Sequence, residues 1–458
     1  MWYEREGRQR GFTRSRYIGI AIWSIAGLFC GCVENKPYRL GGIADDQYER
    51  QKPQFEETPV ADGKTYCLSF VEFDEKGDFW DRRQLGRAAN KIRRTEKPVL
   101  LVLYIHGWHH NADDRKPGGK NPGDVETFRC LLSELAESDS TKRLQVHGIY
   151  LGWRGRLVQG PLDYVTFLSR KDAATRVAGT PVTETIFELI RQTRKQSRSS
   201  KCVVIGHSFG ALVLEKAMAQ ALAGSILSQD VQSHGQPFNA PADLILLVNS
   251  AAESIYAKEL SDMFVRTAHR GQVSSEKPLL ISITSETDSA TNGWFPFGTF
   301  LPNLFARRQY KWDEKYNKLS AGVNQHEYVT TTPGNNPHLL THRVVAIDGG
   351  ENLPEAKAGS CSDANPAFEE NLQRPQGLIF ATSDPSNHDK LYRWRVKEAV
   401  VNKVSPYWVV RVPKQIIHNH SPIFTPEGRA MMAALFRMTN PKDEPGPRQM
   451  TYSPKAEQ

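Results

Sequence analysis

Several common chemistries are excluded by what this chain does not contain. No His-Glu-x-x-His or Cys-x-x-Cys occurs, so the usual ligand spacings of zinc sites are missing. His109-His110, with Asp113 and Asp114 nearby, is accordingly read as a polar rim without a metal, and no cofactor is expected. Gly63-Lys64-Thr65 has Thr58 where a phosphate-binding loop needs its first glycine. Six cysteines in 458 residues are too few for a disulfide scaffold; Cys130 and Cys202 sit in apolar runs where packing is the expected role. Of the net charge of +8, Arg5, Arg8, Arg10, Arg14 and Arg16 against Glu4 and Glu6 supply +3. The remainder is scattered, with no basic stripe and no interleaved stacking aromatics, so nucleic acid is not an expected partner. No internal repeat is visible.

What is there begins with a basic segment to Arg16, followed by the apolar run Ile18 to Phe29 and then Cys30-Gly31-Cys32. The run is short for a membrane span and reads as a secretory signal over residues 1–31. Cys32 after the small Gly31 resembles a bacterial lipoprotein cleavage site, although Phe29 and Cys30 depart from the usual residues there. That resemblance implies lipidation of Cys32 and an exported, membrane-anchored protein facing the periplasm or cell surface. One disulfide among Cys67, Cys130, Cys202 and Cys361 would suit such a compartment, with the pairing left open. Residues 32–63, polar with Pro37, Pro53 and Pro59, are expected to be a flexible tether. A single large domain is expected over 64–435 and a disordered tail over 436–458.

Within that domain, strand-like runs alternate with helix-like ones, which argues an α/β fold with a mostly parallel central sheet flanked by helices. Tyr66 to Phe73, Pro98 to Ile105, Leu144 to Leu151 and Lys201 to Ile205 read as strands, and Phe79-Trp80 as a further short one. Thr180-Pro181 signals a helix start. From about 291 to 392 the pattern weakens into Pro-, Asn- and aromatic-rich stretches, expected to be an insertion serving as a lid or as irregular surface. Trp153 and Trp294 are read as core.

The most informative motif is Gly206-His207-Ser208-Phe209-Gly210, placed between the apolar run ending at Ile205 and the helical run from Ala211. Two glycines permit a strained strand-to-helix turn, which would present the Ser208 hydroxyl beside a helix N-terminus. Here the chain resembles the serine esterases and lipases of the α/β-hydrolase family. That resemblance implies three further parts in a fixed order. An earlier strand should end in His-Gly-x, and Ile105 runs into His106-Gly107-Trp108; by resemblance the backbone N–H groups of Trp108 and Phe209 would form an oxyanion hole. An acid should follow a later strand: family order favours Asp288, with Glu286 and Asp348 as alternatives. A histidine should come near the C-terminus: the resemblance favours His420, with His418 open.

The implied activity is hydrolysis of a small-molecule or lipid carboxylic ester through an acyl-enzyme. An acyltransferase using the same site, or a membrane-tethered binding protein that has lost the chemistry, are the alternatives.

Overall fold

Apolar runs buried on both faces give this chain its sheet. A computed structural model describes residues 33–41, 52–113, 123–138, 141–158, 166–232, 240–268, 278–295, 325–357, 378–399 and 405–439. The strands are β1 (Phe55–Pro59), β2 (Thr65–Glu72), β3 (Val99–Ile105), β4 (Gln145–Gly152), β5 (Lys201–His207), β6 (Leu244–Val248), β7 (Leu280–Ser285), β8 (His342–Ala346), β9 (Leu378–Asp384), β10 (Asn387–Glu398) and β11 (Tyr407–Val412). The helices are α1 (Arg83–Arg93), α2 (Asp124–Glu137), α3 (Phe167–Val177), α4 (Thr180–Gln196), α5 (Phe209–Gln232), α6 (Ser254–Ala268), α7 (Gln325–Thr330) and α8 (Pro426–Thr439).

The eleven strands of the described residues form one sheet in the order β1-β2-β4-β3-β5-β6-β7-β11-β8-β10-β9. From β2 to β8 every pairing is parallel; β1, β10 and β9 add antiparallel strands at the two edges. Parallel strands need crossovers, and these place helices over both faces. Along β3, Val99, Leu101, Leu103 and Ile105 pack into one cluster with Ile92 of α1, Leu189 of α4 and Leu212 of α5. The alternate Leu100, Val102 and Tyr104 pack into the other with Phe128 of α2 and Met431 of α8. The period of two thus fills two cores from one strand.

Four sequence expectations change. The N-terminal stretch is not a free tether in its described parts. The backbone N–H groups of Tyr38 and Arg39 each donate to the buried Glu72 carboxylate at 2.8 Å, and residues 55–59 form β1. Phe79 makes only an isolated bridge to Phe73 in place of a strand. The region expected as an insertion extends the sheet through β8, β9 and β10, while the lid reading falls on residues 296–324 and 358–377, outside the described ones. The last helix also runs on to Thr439, past the expected start of the tail, and residues 440–458 lie outside the description. Cys130 is disulfide-bonded, whereas Cys67 and Cys202 are free and buried.

One buried group makes stability depend on pH. Glu215 of α5 is 5% exposed, and neither carboxyl oxygen has a hydrogen-bond partner. Burial, reinforced by the charge of Glu253, pushes its pKa up to about 8. A carboxyl whose folded pKa is raised binds its proton more tightly folded than unfolded. Its contribution is therefore full below about pH 4.5 and is lost as pH rises towards 8. Between about pH 5 and 9 the wild type is expected to lose roughly 2–5 kcal/mol more stability than Glu215→Gln, read from urea midpoints at each pH. Parallel pH curves for the two proteins would refute the assignment.

Candidate active site

Chain order makes a topological switch point at the carboxyl ends of β3 and β5. After β3 the chain crosses to β4 on one side, then returns to β5 on the other, so the connections leave in opposite directions. Open α/β sheets bind ligands at such a switch point. Here the loop after β3 carries His106 to His110, and the turn after β5 carries Ser208.

The turn is strained in the way its glycines allow. Ser208 has φ 56°, in the left-handed region, and stands immediately before α5. A Cβ on Gly210 would lie 2.1 Å from the Ile105 carbonyl oxygen, and one on Gly107 would lie 2.6 Å from the Ser208 Cβ. The two loops therefore touch through glycines, and any side chain there would push them apart. This contact also explains a departure from expectation: Ser208 is only 3% exposed. Gly107 covers it from one side and His420 from another.

The Ser208 hydroxyl lies 2.7 Å from His420 Nε2. His420 Nδ1 lies 2.9 Å from Asp288 Oδ1 and 3.0 Å from Oδ2. Asp288 is fully buried after β7. Burial alone would raise its pKa, but His420 and the hydrogen bonds from His420 and Thr291 more than offset that and hold it below the ordinary carboxylate value. Its Oδ1 accepts the backbone N–H groups of Ala290 at 3.0 Å and Thr291 at 3.1 Å, and Oδ2 accepts the Thr291 hydroxyl at 2.7 Å.

The rival residues lie elsewhere. Glu286 accepts the Lys414 N–H at 3.3 Å, and Asp348 accepts the Arg393 N–H at 2.9 Å. His418, 37% exposed, points its Nε2 to Glu355 at 3.5 Å.

Sequence reasoning missed the residues that hold this arrangement. Asn249, at the end of β6 with φ 46°, donates through Nδ2 to the backbone carbonyls of Asn419 at 3.2 Å and His420 at 2.9 Å. Its Oδ1 accepts the Ser285 N–H at 2.9 Å, so one side chain ties the ends of β6 and β7 to the histidine loop. His207 donates through Nε2 to the same His420 carbonyl at 2.9 Å. Asn419, with φ 60°, accepts the Ser289 hydroxyl and N–H as well as the His420 N–H. A polar residue in left-handed backbone near a strand end was the available signal, but φ is not written in a sequence.

The loop after β3 is fixed by His106. Its ring stacks on Trp153 at 5.6 Å and on Tyr150 at 5.4 Å. Nδ1 donates to the Gly107 carbonyl and Nε2 accepts the Trp153 N–H, which sets a neutral tautomer. Burial pushes its pKa down to about 4. Trp153 is thereby core, as expected; the Trp294 side chain is outside the description. Phe209 opens α5, so its N–H belongs to the first turn and has no acceptor within the helix. Trp108 packs its ring 5.5 Å from Phe167 and 6.3 Å from Phe209. Cys32 lies outside the described residues.

Chemically, the site can move a proton from a hydroxyl to an imidazole and stabilise the resulting positive charge with a buried carboxylate. No protein-family model matches the chain, and no curated protein matches it either.

Proposed function

We propose that this protein is a serine hydrolase of the α/β-hydrolase type, cleaving carboxylic esters through an acyl-enzyme on Ser208. The observation that carries the reading is the unbroken hydrogen-bonded chain from Ser208 through His420 to Asp288, at the switch point of the sheet. Nucleophile, base and orienting acid converge from three separate strand ends, and an arrangement with those distances is the working part of acyl-transfer catalysis.

In the proposed cycle, His420 Nε2 takes the Ser208 proton as the oxygen attacks the ester carbonyl. Asp288 holds Nδ1–H and stabilises the imidazolium. The N–H groups of Phe209 and Trp108 are the candidate oxyanion donors, each contributing about 3 kcal/mol to the transition state. The imidazolium returns its proton to the leaving alcohol. Water, deprotonated by the same histidine, then releases the acid. An acyltransferase would replace that water with another acceptor.

Export and anchoring through Cys32 belong to the same proposal. A disulfide at Cys130 accords with an oxidising compartment. Immediately after Cys32, the Val33 N–H donates to the Leu157 carbonyl at 3.0 Å, so an anchored body would sit close to the membrane. Among the described residues no helix is long and apolar enough to cross a membrane.

The test is covalent labelling of the purified full chain by a fluorophosphonate, followed by peptide mass spectrometry. Stoichiometric modification of the peptide containing Ser208 is expected. A folded protein that resists labelling would move the reading to a non-catalytic binding scaffold.

A further inference from the structure

His207 spends one ring nitrogen on the His420 carbonyl, and the other has no partner. The residue is 1% exposed, and its Nδ1 is buried without a hydrogen bond. His110, from the loop after β3, and Asp124, the first residue of α2, converge on it. Each of the three offers a ligand atom, and these atoms all lie within 4.8 Å of one another. Because Nε2 of His207 is committed to His420, the atom it has left for the cluster is Nδ1.

We propose that His110, Asp124 and His207 form a binding site for a divalent transition-metal ion, with zinc best suited to the donors. Two imidazoles and one carboxylate are a zinc-type ligand set with a fourth position left open. The surroundings supply what such a site needs. An imidazole that binds metal through one nitrogen characteristically donates the other N–H to a carbonyl, which is the bond His207 makes to His420. The Asp124 carboxylate is steadied on both oxygens, by the Tyr104 hydroxyl at 3.1 Å and the Tyr150 hydroxyl at 3.0 Å. Ligand atoms around a tetrahedral zinc stand about 3.3 Å apart, so the donors need to close by at most about 1.5 Å on loading. His110 and Asp124 are only partly buried and supply that movement. Sequence spacing hides the site, because its members come from a loop, a helix start and a strand end far apart in the chain.

A metal here would pin the loop after β3 to the end of β5 and to α2, fixing the separation of Gly107 and Ser208 from behind. The inference does not rest on acyl transfer, since metal uptake is read directly.

The experiment strips the full chain in detergent with a chelator, then titrates it with zinc chloride by calorimetry and with cobalt chloride by visible absorption. Saturable uptake of about one equivalent is expected, with a rise in thermal midpoint. His110→Ala and Asp124→Asn are expected to weaken it roughly 100-fold or more. Uptake that persists undiminished in both variants overturns the assignment, as does a folded wild type that takes up neither ion. Should the variants not fold, zinc-edge X-ray absorption of the loaded wild type decides: two imidazoles with oxygen support the site, and sulfur ligation or an all-oxygen shell overturns it.

Discussion

Alanine at Ser208 or at His420 is expected to lower hydrolysis of a short-chain nitrophenyl ester by about 10⁴- to 10⁶-fold, and the double variant should be no slower than either single one. The non-additivity follows from the geometry. Ser208 Oγ and His420 Nε2 share one hydrogen bond, so removing either partner ends the same proton transfer. What remains in each variant is whatever binding and the oxyanion donors supply to attack by water. His418→Ala is the control: its contact is an exposed ion pair with Glu355, and kcat/KM should stay within about twofold of wild type. Circular dichroism and thermal midpoints need to accompany the rates, since Ser208 is packed against Gly107. Loss of activity in His418→Ala with retention in His420→Ala would dismantle the proposed triad. Additive losses in the double variant would mean that Ser208 and His420 act in separate steps.

The parts that were legible in the sequence share a local cause. A strand followed by a tight glycine turn and a helix announces itself in consecutive residues, and Gly206 to Gly210 needed no distant partner to be read. Asp288 and His420 were candidates because the resemblance asks for an acid and a histidine after later strands, and the apolar runs that end near them are plain in the sequence, Leu280–Ser285 and Tyr407–Val412. Choosing between His418 and His420 depended on a resemblance, because two residues of loop give no periodicity to decide which ring turns inward. The illegible parts depend on partners far along the chain. Tyr38 and Arg39 are held through their N–H groups by Glu72, more than thirty residues away, so a polar segment with several prolines read as a tether. β10 was missed because half of its residues, Asn387 to Glu398, are charged; among the described side chains Trp394 and Val396, two residues apart, are the ones that reveal its buried face. His106 and His207 looked like loop and motif residues, and only packing shows that both are neutral rings fixing the backbone around Ser208 and His420.

Asp288→Asn is expected to leave the fold and the thermal midpoint almost unchanged while lowering kcat by about 10³- to 10⁴-fold. The reason lies in which oxygen can become nitrogen. Oδ1 accepts two backbone N–H groups, from Ala290 and Thr291, and an amide NH₂ placed there would face both donors. The asparagine must therefore keep its oxygen at that position and put its NH₂ at the Oδ2 position, beside the Thr291 hydroxyl and His420 Nδ1. The hydroxyl can rotate to accept. His420 Nδ1 lies between the two positions, 2.9 Å from the retained oxygen and 3.0 Å from the new NH₂. An Nδ1–H on that oxygen loses the carboxylate charge that stabilises the imidazolium, and an Nδ1 that accepts from the NH₂ puts the ring proton on Nε2. That nitrogen is the one 2.7 Å from Ser208 Oγ, and a protonated Nε2 has no lone pair with which to take the serine proton. The loss thus comes from a lost charge or a misplaced proton with the heavy atoms in place, and kcat should fall far more than KM rises. His420 and Thr291 outweigh burial and hold Asp288 below the ordinary carboxylate value, so Asp288 is not the group whose protonation first limits the wild type as pH falls. A variant that is as active as wild type at neutral pH would show that the Asp288 charge and tautomer control are dispensable.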